Sequence, residues 1–587
     1  MRTTKLIFAI LFISSLIFLS LTAYIDISIS DKGTFTLNVD NETIEIYYSK
    51  PGSYNKDVIA LGFNGFIEFP PMFYPIANVL AQQGIIFYSF SRPGFGRTSL
   101  KLFADLKEST NWEVLLEKSI LINLEILNKS IDELKSITGA KKIILFGSGM
   151  GGGIVLHINL IRNDVVASVI WNPSGFNETL VEKLKGKIKN FLYILGEFDD
   201  PRYKRDAIKI LKALGIDDPS FDKLYGSFSD GTAKMIKVIP GTGSLFIYYT
   251  EGAMDAIAYW ISMSLNINKP KVELVYISVI LGALSILMML LSIFMIPSIL
   301  SESLKVMSGG RRWPRFEIME KAIRMTFVWT ISMIVLMIIF AGLILLIYTV
   351  VSRFFMLYAE VPIYPIMLIA WSLSIMILSA LYISRFQRIP LKETFRRAFM
   401  EFIRDQKNYA LAGITLAIYY PLLIIWAKFF VLDMLKPNIY LLLFYIITFP
   451  IHIWATVLYE ILYRRIIQES FGGATPRAAI MTATLSVSMR MIIPFSLAII
   501  WFVIGGFKLF TVILLTFLFI IELVIELIAA TFYFVTREVL PGALFNILFW
   551  YLPAYFISER LILLLSLIHI SEPTRPLYIS YAVFCLK

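Results

Sequence analysis

The pattern of hydrophobic and polar residues changes twice along the chain. Residues 1–25 begin with Arg2 and Lys5 and continue as one apolar run long enough to span a bilayer, which predicts a signal anchor or a signal peptide. The bulky Leu21, where a cleavage site needs a small residue, favours the uncleaved anchor. Residues 26–269 alternate strand-like and helix-like runs, which predicts an α/β domain. Residues 270–564 carry long apolar runs, which predict an all-α membrane domain of about eight further helices.

Within the α/β part, short runs of β-branched and aromatic residues predict eight strands. Asp40 and Asn41 separate the first two runs and predict a hairpin turn. The predicted strands are Thr34–Val39, Thr43–Ser49, Val58–Gly62, Ile85–Phe90, Lys141–Ser148, Val165–Ile170, Phe191–Gly196 and Met235–Ile239. The longest predicted helices between and after them are Phe73–Gln82, Trp112–Leu134 and Gly252–Ser264.

Composition supports a polytopic membrane protein. The chain has 587 residues, of which 57% are hydrophobic, and its mean hydropathy is +0.72. The net charge is +11, but residues 26–269 hold 27 acids and 26 bases, so the excess lies in the apolar remainder. Alternate loops there, among them the basic loop from Arg385 to Lys407, carry 18 bases against five, which predicts a multi-pass plasma-membrane protein with its α/β domain outside the cell. The charge therefore indicates a lipid bilayer as partner and no nucleic acid.

The stretch KKIILFGSGMGGG, residues 141–153, reads as a strand, a sharp glycine turn and a helix. It resembles the nucleophile elbow G-x-S-x-G, in which a strained turn lifts a nucleophile above a sheet. Here the flanking glycines are Gly147 and Gly151, so the nucleophile position is Gly149, which has no side chain. Ser148 precedes that position by one residue. The turn is retained in sequence, but its nucleophile is lost.

Further motifs in the expected order strengthen the resemblance. The run SRPGFGRT at residues 91–98 is similar to the D-R-P-G-F-G-R-S run of α/β-hydrolases, and LGFNG at 61–65 stands where that family has H-G-x-x-G. Asp199 matches the family's catalytic acid, and Ser244 occupies the place of its catalytic histidine. The resemblance implies an α/β-hydrolase-like sandwich with a mostly parallel sheet.

The same resemblance implies a degenerate catalytic site, because the family's Ser, Asp and His roles fall on Gly149, Asp199 and Ser244. The oxyanion-type backbone N–H groups would be those of Phe63 and Met150. We therefore expect a pseudoenzyme that binds an unknown small-molecule ligand or membrane partner. The alternative is a working membrane-bound serine hydrolase (an esterase, peptidase or acyltransferase) that uses Ser148 or another serine. His157, the domain's only histidine, is expected to pack against the sheet.

The membrane part contains acids in apolar surroundings. Glu522 and Glu526 are four residues apart on one predicted helix, and a base such as Arg490 is a candidate partner. Proton relay, ion coordination and simple helix–helix bonding are all compatible with such carboxyl groups.

A second group of polar residues in the membrane part begins at Glu460. The run YEILYR, residues 459–464, weakly resembles the E-E-x-x-x-R motif of CAAX-type intramembrane proteases, with Asn546 where that family places a late histidine. An i to i+4 ion pair between Glu460 and Arg464 is the simpler interpretation. A transporter or CAAX-protease-like protein with an accessory outer domain is the third functional hypothesis.

The end of the chain has a separate character. Residues 565–587, LSLIHISEPTRPLYISYAVFCLK, resemble a translated transposase-type sequencing adapter, so we expect the authentic sequence to end near Leu564. This tail contains Cys585, the only cysteine. The remainder therefore has no disulfide, zinc-thiolate site or cysteine nucleophile, and no metal or cofactor is expected.

Overall fold

The computed structural model describes most of the α/β part and selected helices of the apolar part. The described ranges are 2–40, 42–65, 70–91, 112–293, 363–403, 409–419, 439–473, 475–488 and 509–547, with residues 98 and 421 and isolated residues between 295 and 340. The chain divides into two compact units, one centred on Ile17–Leu284 and one formed mainly by Met1–Leu16, Ser285–Ile425 and Met434–Ile562. Residues 491–506, one of the apolar runs predicted to span the membrane, and the tail at 565–587 lie outside the described residues.

The first unit is built on a single eight-stranded sheet. The strands are β1 (Asp31–Val39), β2 (Glu42–Lys50), β3 (Val58–Phe63), β4 (Ile86–Phe90), β5 (Lys142–Ser148), β6 (Val165–Trp171), β7 (Phe191–Gly196) and β8 (Lys234–Ile239). Their order is β1-β2-β4-β3-β5-β6-β7-β8, and only β2 pairs antiparallel with its neighbours β1 and β4. The expected α/β-hydrolase-like architecture with a mostly parallel sheet is confirmed.

Helices cover both faces of this sheet, and each face has its own hydrophobic core. The helices of this part are α2 (Tyr74–Gln82), α3 (Trp112–Thr138), α4 (Met150–Ile161), α5 (Glu178–Lys183), α6 (Pro201–Ala213) and α7 (Glu251–Leu265). Helices α1 (Arg2–Ile29) and α8 (Glu273–Ile293) belong to it only in part, because the division between the units falls within them. In β3, Ile59 and Leu61 join the core beneath α3, α4 and α6, while Val58 and Ala60 join the core beneath α2 and α7. This alternation follows from the two-residue period of a strand, and burial on both faces explains why the parallel strands read as unbroken apolar runs.

The second unit is helical where it is described. Its helices include α9 (Ile363–Gln387), α10 (Leu391–Ile403), α11 (Tyr409–Tyr419), α12 (Ile439–Glu460), α13 (476–488), α14 (Leu509–Thr536) and α15 (Leu540–Asn546). Residues Ile461–Gln468 continue α12 as a π-helix. This all-α part agrees with the predicted fold class.

Three described helices are long and apolar enough to cross a membrane. They are Lys5–Ile29, Glu273–Ile293 and Ile446–Gln468, which fall in α1, α8 and the segment from α12 into the π-helix. The predicted total of an anchor and eight spans stays a prediction, because several of those runs lie partly outside the described residues.

One predicted loop contains a helix. The basic segment from Arg385 to Lys407 was expected only to connect two spans, but its middle forms α10. Arg388 adopts a positive φ of 53° at the turn before this helix. The physical reason is a two-sided pattern, because Thr394 and Ala398, four residues apart, are buried while Lys392 and Arg396 are exposed.

Candidate functional site

The glycine turn predicted at residues 147–151 lies between β5 and α4. β5 ends at Ser148, α4 begins at Met150, and Gly149 between them has φ 50° and ψ −121°. Its N–H donates to the Trp171 carbonyl at 3.1 Å, and its carbonyl accepts the Ser174 N–H at 2.9 Å. A positive φ favours glycine over residues with a side chain, so Gly149 adopts this turn without the strain that a serine would carry.

The flanking glycines are required by close backbone contacts. A Cβ atom at Gly151 would lie 1.9 Å from the Phe63 carbonyl oxygen, and one at Gly147 would lie 2.4 Å from the Gly151 carbonyl oxygen. No side chain fits at such distances. Glycine is therefore required at both positions, because strand β5, helix α4 and the end of β3 approach closely.

Ser148 does not stand at the apex of the turn. It is the last residue of β5, pairs in register with Trp171 of β6, and is 3% exposed. A serine nucleophile must reach a carbonyl carbon above the sheet. The strand position of Ser148 therefore gives it a poor geometry for attack, while the apex residue, Gly149, has no reactive group.

The acid position is built by the end of β7. The Asp199 carboxylate accepts the Gly196 N–H at 2.7 Å and a hydrogen bond from Asn172 Nδ2 at 3.5 Å. Gly196 packs against the loop after β8 so closely that a Cβ there would lie 2.6 Å from Gly243 Cα. Asp199 thus lies beside the loop that carries Ser244.

The two expected oxyanion-type residues also come together. Phe63 ends β3, Met150 begins α4, and Gly151 after Met150 contacts the Phe63 carbonyl. Both side chains are buried, so they hold the backbone of the turn in place. The end of β3 and the start of α4 therefore lie side by side, and an oxyanion role for their backbone N–H groups stays a prediction.

Sequence patterns do not predict some of the residues near this site. Asn172, which bonds Asp199, adopts a positive φ of 46° directly after β6. Phe198 and Phe246 are 53% and 50% exposed, and their N–H groups bond the carbonyls of Thr242 and Gly243. Two exposed aromatic rings thus flank the loop before Ser244, a placement that depends on the fold and has no local sequence signal.

His157 lies away from this edge. It is on α4, seven residues after Met150 and so about 10 Å along the helix. Its ring is buried, as expected from the sequence, and burial lowers the pKa of His157 although a hydrogen bond with the Gly175 backbone opposes the shift. It does not supply the base that the Ser244 position lacks.

The second unit contains a fully buried ionic cluster. Arg464 Nε donates to Glu460 at 2.9 Å, and Arg464 Nη2 donates to the Glu526 carboxylate and, at 3.1 Å, to its carbonyl. All three side chains are 0% exposed. Asn546 Nδ2 donates to Glu460 at 2.7 Å. The expected i to i+4 pair of Glu460 and Arg464 is present, within a larger cluster.

Glu526 pairs with Arg464, a base that the sequence does not single out for it. The candidate partner Arg490 lies outside the described residues, so its pairing stays a prediction. Arg464 reaches Glu526 because α14 packs beside the π-helix, which brings together residues 62 positions apart. Glu522, one turn earlier on α14, is half-buried.

Two neighbouring features complete this region. Ser372 Oγ and His452 Nδ1 lie 2.7 Å apart and are both fully buried. Arg465, on the π-helix beside Arg464, pairs with Glu538 at 2.9 Å. In the part of the chain that the structure describes, no three His, Cys, Asp or Glu side chains group closely enough to hold a metal ion.

Comparison with known proteins gives structural neighbours only. No protein-family model matches the sequence, and no curated protein matches it. Among solved structures, a predicted CIB-like hydrolase from Thermoplasma acidophilum is 17% identical, with a TM-score of 0.31, over 40% of this chain and 100% of its own. A membrane phospholipase A, described as a bacterial virulence factor, is 12% identical, with a TM-score of 0.29, over 43% of this chain and 93% of its own.

A cold-adapted esterase from an Arctic intertidal metagenomic library is a third neighbour. It is 16% identical, with a TM-score of 0.30, over 40% of this chain and 94% of its own.

Proposed function

We propose that residues 26–269 form a non-hydrolytic α/β-hydrolase-like domain outside the membrane, which binds a ligand and is coupled to a multi-helix membrane domain. The observation that carries this proposal is the glycine at the apex of the elbow. Serine hydrolysis needs an oxygen or sulfur nucleophile there and a base within hydrogen-bond reach. Gly149 supplies no nucleophile, and a serine at position 244 supplies no base of the required strength.

Ligand binding is supported by the parts of the site that do not depend on the lost side chains. The turn at Gly149, the crowded contact of Gly151 with Phe63, and the anchored Asp199 carboxylate all persist. Backbone N–H groups at such a turn favour a carbonyl or carboxylate oxygen. The exposed rings of Phe198 and Phe246 add apolar surface beside it. The proposed ligand is therefore a carboxylate or carbonyl compound with an apolar portion.

The test compares binding with turnover in the full-length protein. Straight-chain carboxylates should raise the melting temperature, whereas alkylammonium ions of the same length should not. The corresponding p-nitrophenyl esters should not be cleaved above the rate in buffer. Ester turnover that follows the protein through purification would contradict the proposal and favour the serine-hydrolase alternative.

A second function, in the membrane domain, has its own supporting observation. Glu460 and Arg464, in a helix that changes to π geometry at Ile461, form a buried ionic cluster with Glu526 of α14. Buried charges in apolar helices and π-helical segments are both frequent at functional sites. A transport or intramembrane enzymatic role would require this cluster. Replacing Glu460 with Gln should then abolish that activity while Gly149→Ala leaves it unchanged.

A further inference from the structure

The turn between α9 and α10 presents four bases on one exposed surface. Arg385 ends the apolar part of α9, Arg388 forms the left-handed turn, and Lys392 and Arg396 follow one turn apart on α10. All four side chains are exposed. The acid within this stretch, Glu393, is half-buried and pairs with Arg397 at 3.0 Å and Arg396 at 3.4 Å. The exposed charge of this basic surface is therefore positive.

An apolar stripe runs along α10 next to these bases. Thr394 and Ala398 are buried against the rest of the unit, whereas Leu391 and Phe399 are 41% and 47% exposed. Successive residues of an α-helix are rotated by about 100° around its axis. This rotation places Leu391 and Phe399 between the buried side of α10 and the side that carries Lys392 and Arg396. An exposed apolar stripe bordered by Lys and Arg is the pattern of a helix that lies in a membrane interface.

α10 follows an apolar helix and packs on a helix that can cross a membrane. The apolar part of α9, Ile369–Arg385, ends at the first of the four bases. Long basic side chains at the end of an apolar helix reach towards the headgroups. Phe399 stacks on Trp454 with ring centroids 6.1 Å apart, and Phe395 contacts the same indole edge-on at 6.3 Å. Trp454 belongs to the apolar span Ile446–Gln468, so the exposed apolar side chains of α10 lie beside a helix long enough to cross a bilayer.

We propose that α10 lies in the plane of the membrane interface and that Arg385, Arg388, Lys392 and Arg396 bind the headgroups of anionic phospholipids. Charge complementarity selects this occupant, because four exposed cations face a region where phosphate groups of the bilayer are concentrated. The apolar stripe inserts beside the acyl chains, and the bases remain at headgroup level. This site is independent of the proposed ligand site in the α/β domain.

The test uses full-length protein in a neutral detergent, with bound lipid counted by native mass spectrometry. The parent protein should retain phosphatidylglycerol in preference to phosphatidylcholine. The double variant Lys392→Gln/Arg396→Gln should bind phosphatidylglycerol about thirtyfold more weakly, since each base near an anionic surface contributes a factor of about five. High salt should reduce the preference of the parent.

Matched variants separate this effect from altered folding. Lys183→Gln/Lys187→Gln removes two exposed bases of the α/β domain and should leave the lipid preference unchanged. Lys392→Arg/Arg396→Lys keeps the charge and should keep the preference. The proposal is overturned if the parent shows no preference, if the neutral double variant binds as the parent does, or if inorganic phosphate displaces the lipid at equal concentration.

Discussion

The crowded turn at Gly151 makes a quantitative prediction for one methyl group. Gly151 is the second residue of α4, where alanine is intrinsically favoured over glycine by up to about 1 kcal/mol. The added Cβ of Gly151→Ala would lie 1.9 Å from the Phe63 oxygen and 2.3 Å from the Phe63 carbonyl carbon. Overpacking of this kind costs about 1–3 kcal/mol, and contact with backbone places it at the upper end.

The clash outweighs the propensity, so Gly151→Ala should destabilise the α/β domain by about 2 kcal/mol. Gly252 provides a matched control, because it is also the second residue of a helix and its added Cβ would meet only the Ile239 side chain, at 3.4 Å. Gly252→Ala should be within about 0.5 kcal/mol of the parent. Native-state hydrogen exchange of β5 amides in the full-length protein measures both changes. Unchanged or slower exchange in Gly151→Ala would refute the steric account of the elbow.

Three further predictions concern other parts of the chain. Burial lowers the pKa of His157, so below about pH 6.5 the unfolded chain binds more protons than the folded one. The free energy of unfolding should therefore fall as the pH drops through that value. His157→Asn should reduce this pH dependence, as measured by hydrogen exchange. Arg464→Met removes the cation that pairs with two buried carboxylates and should lower the free energy of unfolding by about 3–5 kcal/mol in thermal unfolding. Arg202→Met, at a pair whose arginine is half exposed, should lower it by less than about 1 kcal/mol. If the α/β domain is outside, an impermeant thiol reagent on intact cells should label Lys185→Cys and not Arg396→Cys; the reverse pattern would invert the topology.

Much of the α/β domain could be predicted because its signals are local. Runs of buried residues such as Ile143–Phe146 and Phe191–Leu195 can form only central strands when turns bound them on both sides. The elbow could also be predicted, because only glycine fits the close backbone contacts at positions 147 and 151. The assignment of Asp199 and Ser244 to the acid and histidine positions rests on the resemblance to α/β-hydrolases.

The rest of the candidate sites depends on contacts between distant residues. Asn172 reaches Asp199 only because β6 and β7 are neighbours in the sheet. Arg464 meets Glu526 across 62 residues because two helices pack together. Sequence indicated a base for Glu526 but gave no means to choose among the bases of the membrane part. Helix α10 was missed because its charge was interpreted only as a sign of loop topology.

The central claim is that the elbow has lost its nucleophile, and covalent labelling tests it most directly. A fluorophosphonate probe reacts with an activated serine and needs no knowledge of the natural substrate. The full-length protein, with an active serine hydrolase as control in the same tube, is expected to give no adduct. Labelling of the protein that maps to Ser148 and disappears in Ser148→Ala would contradict the account.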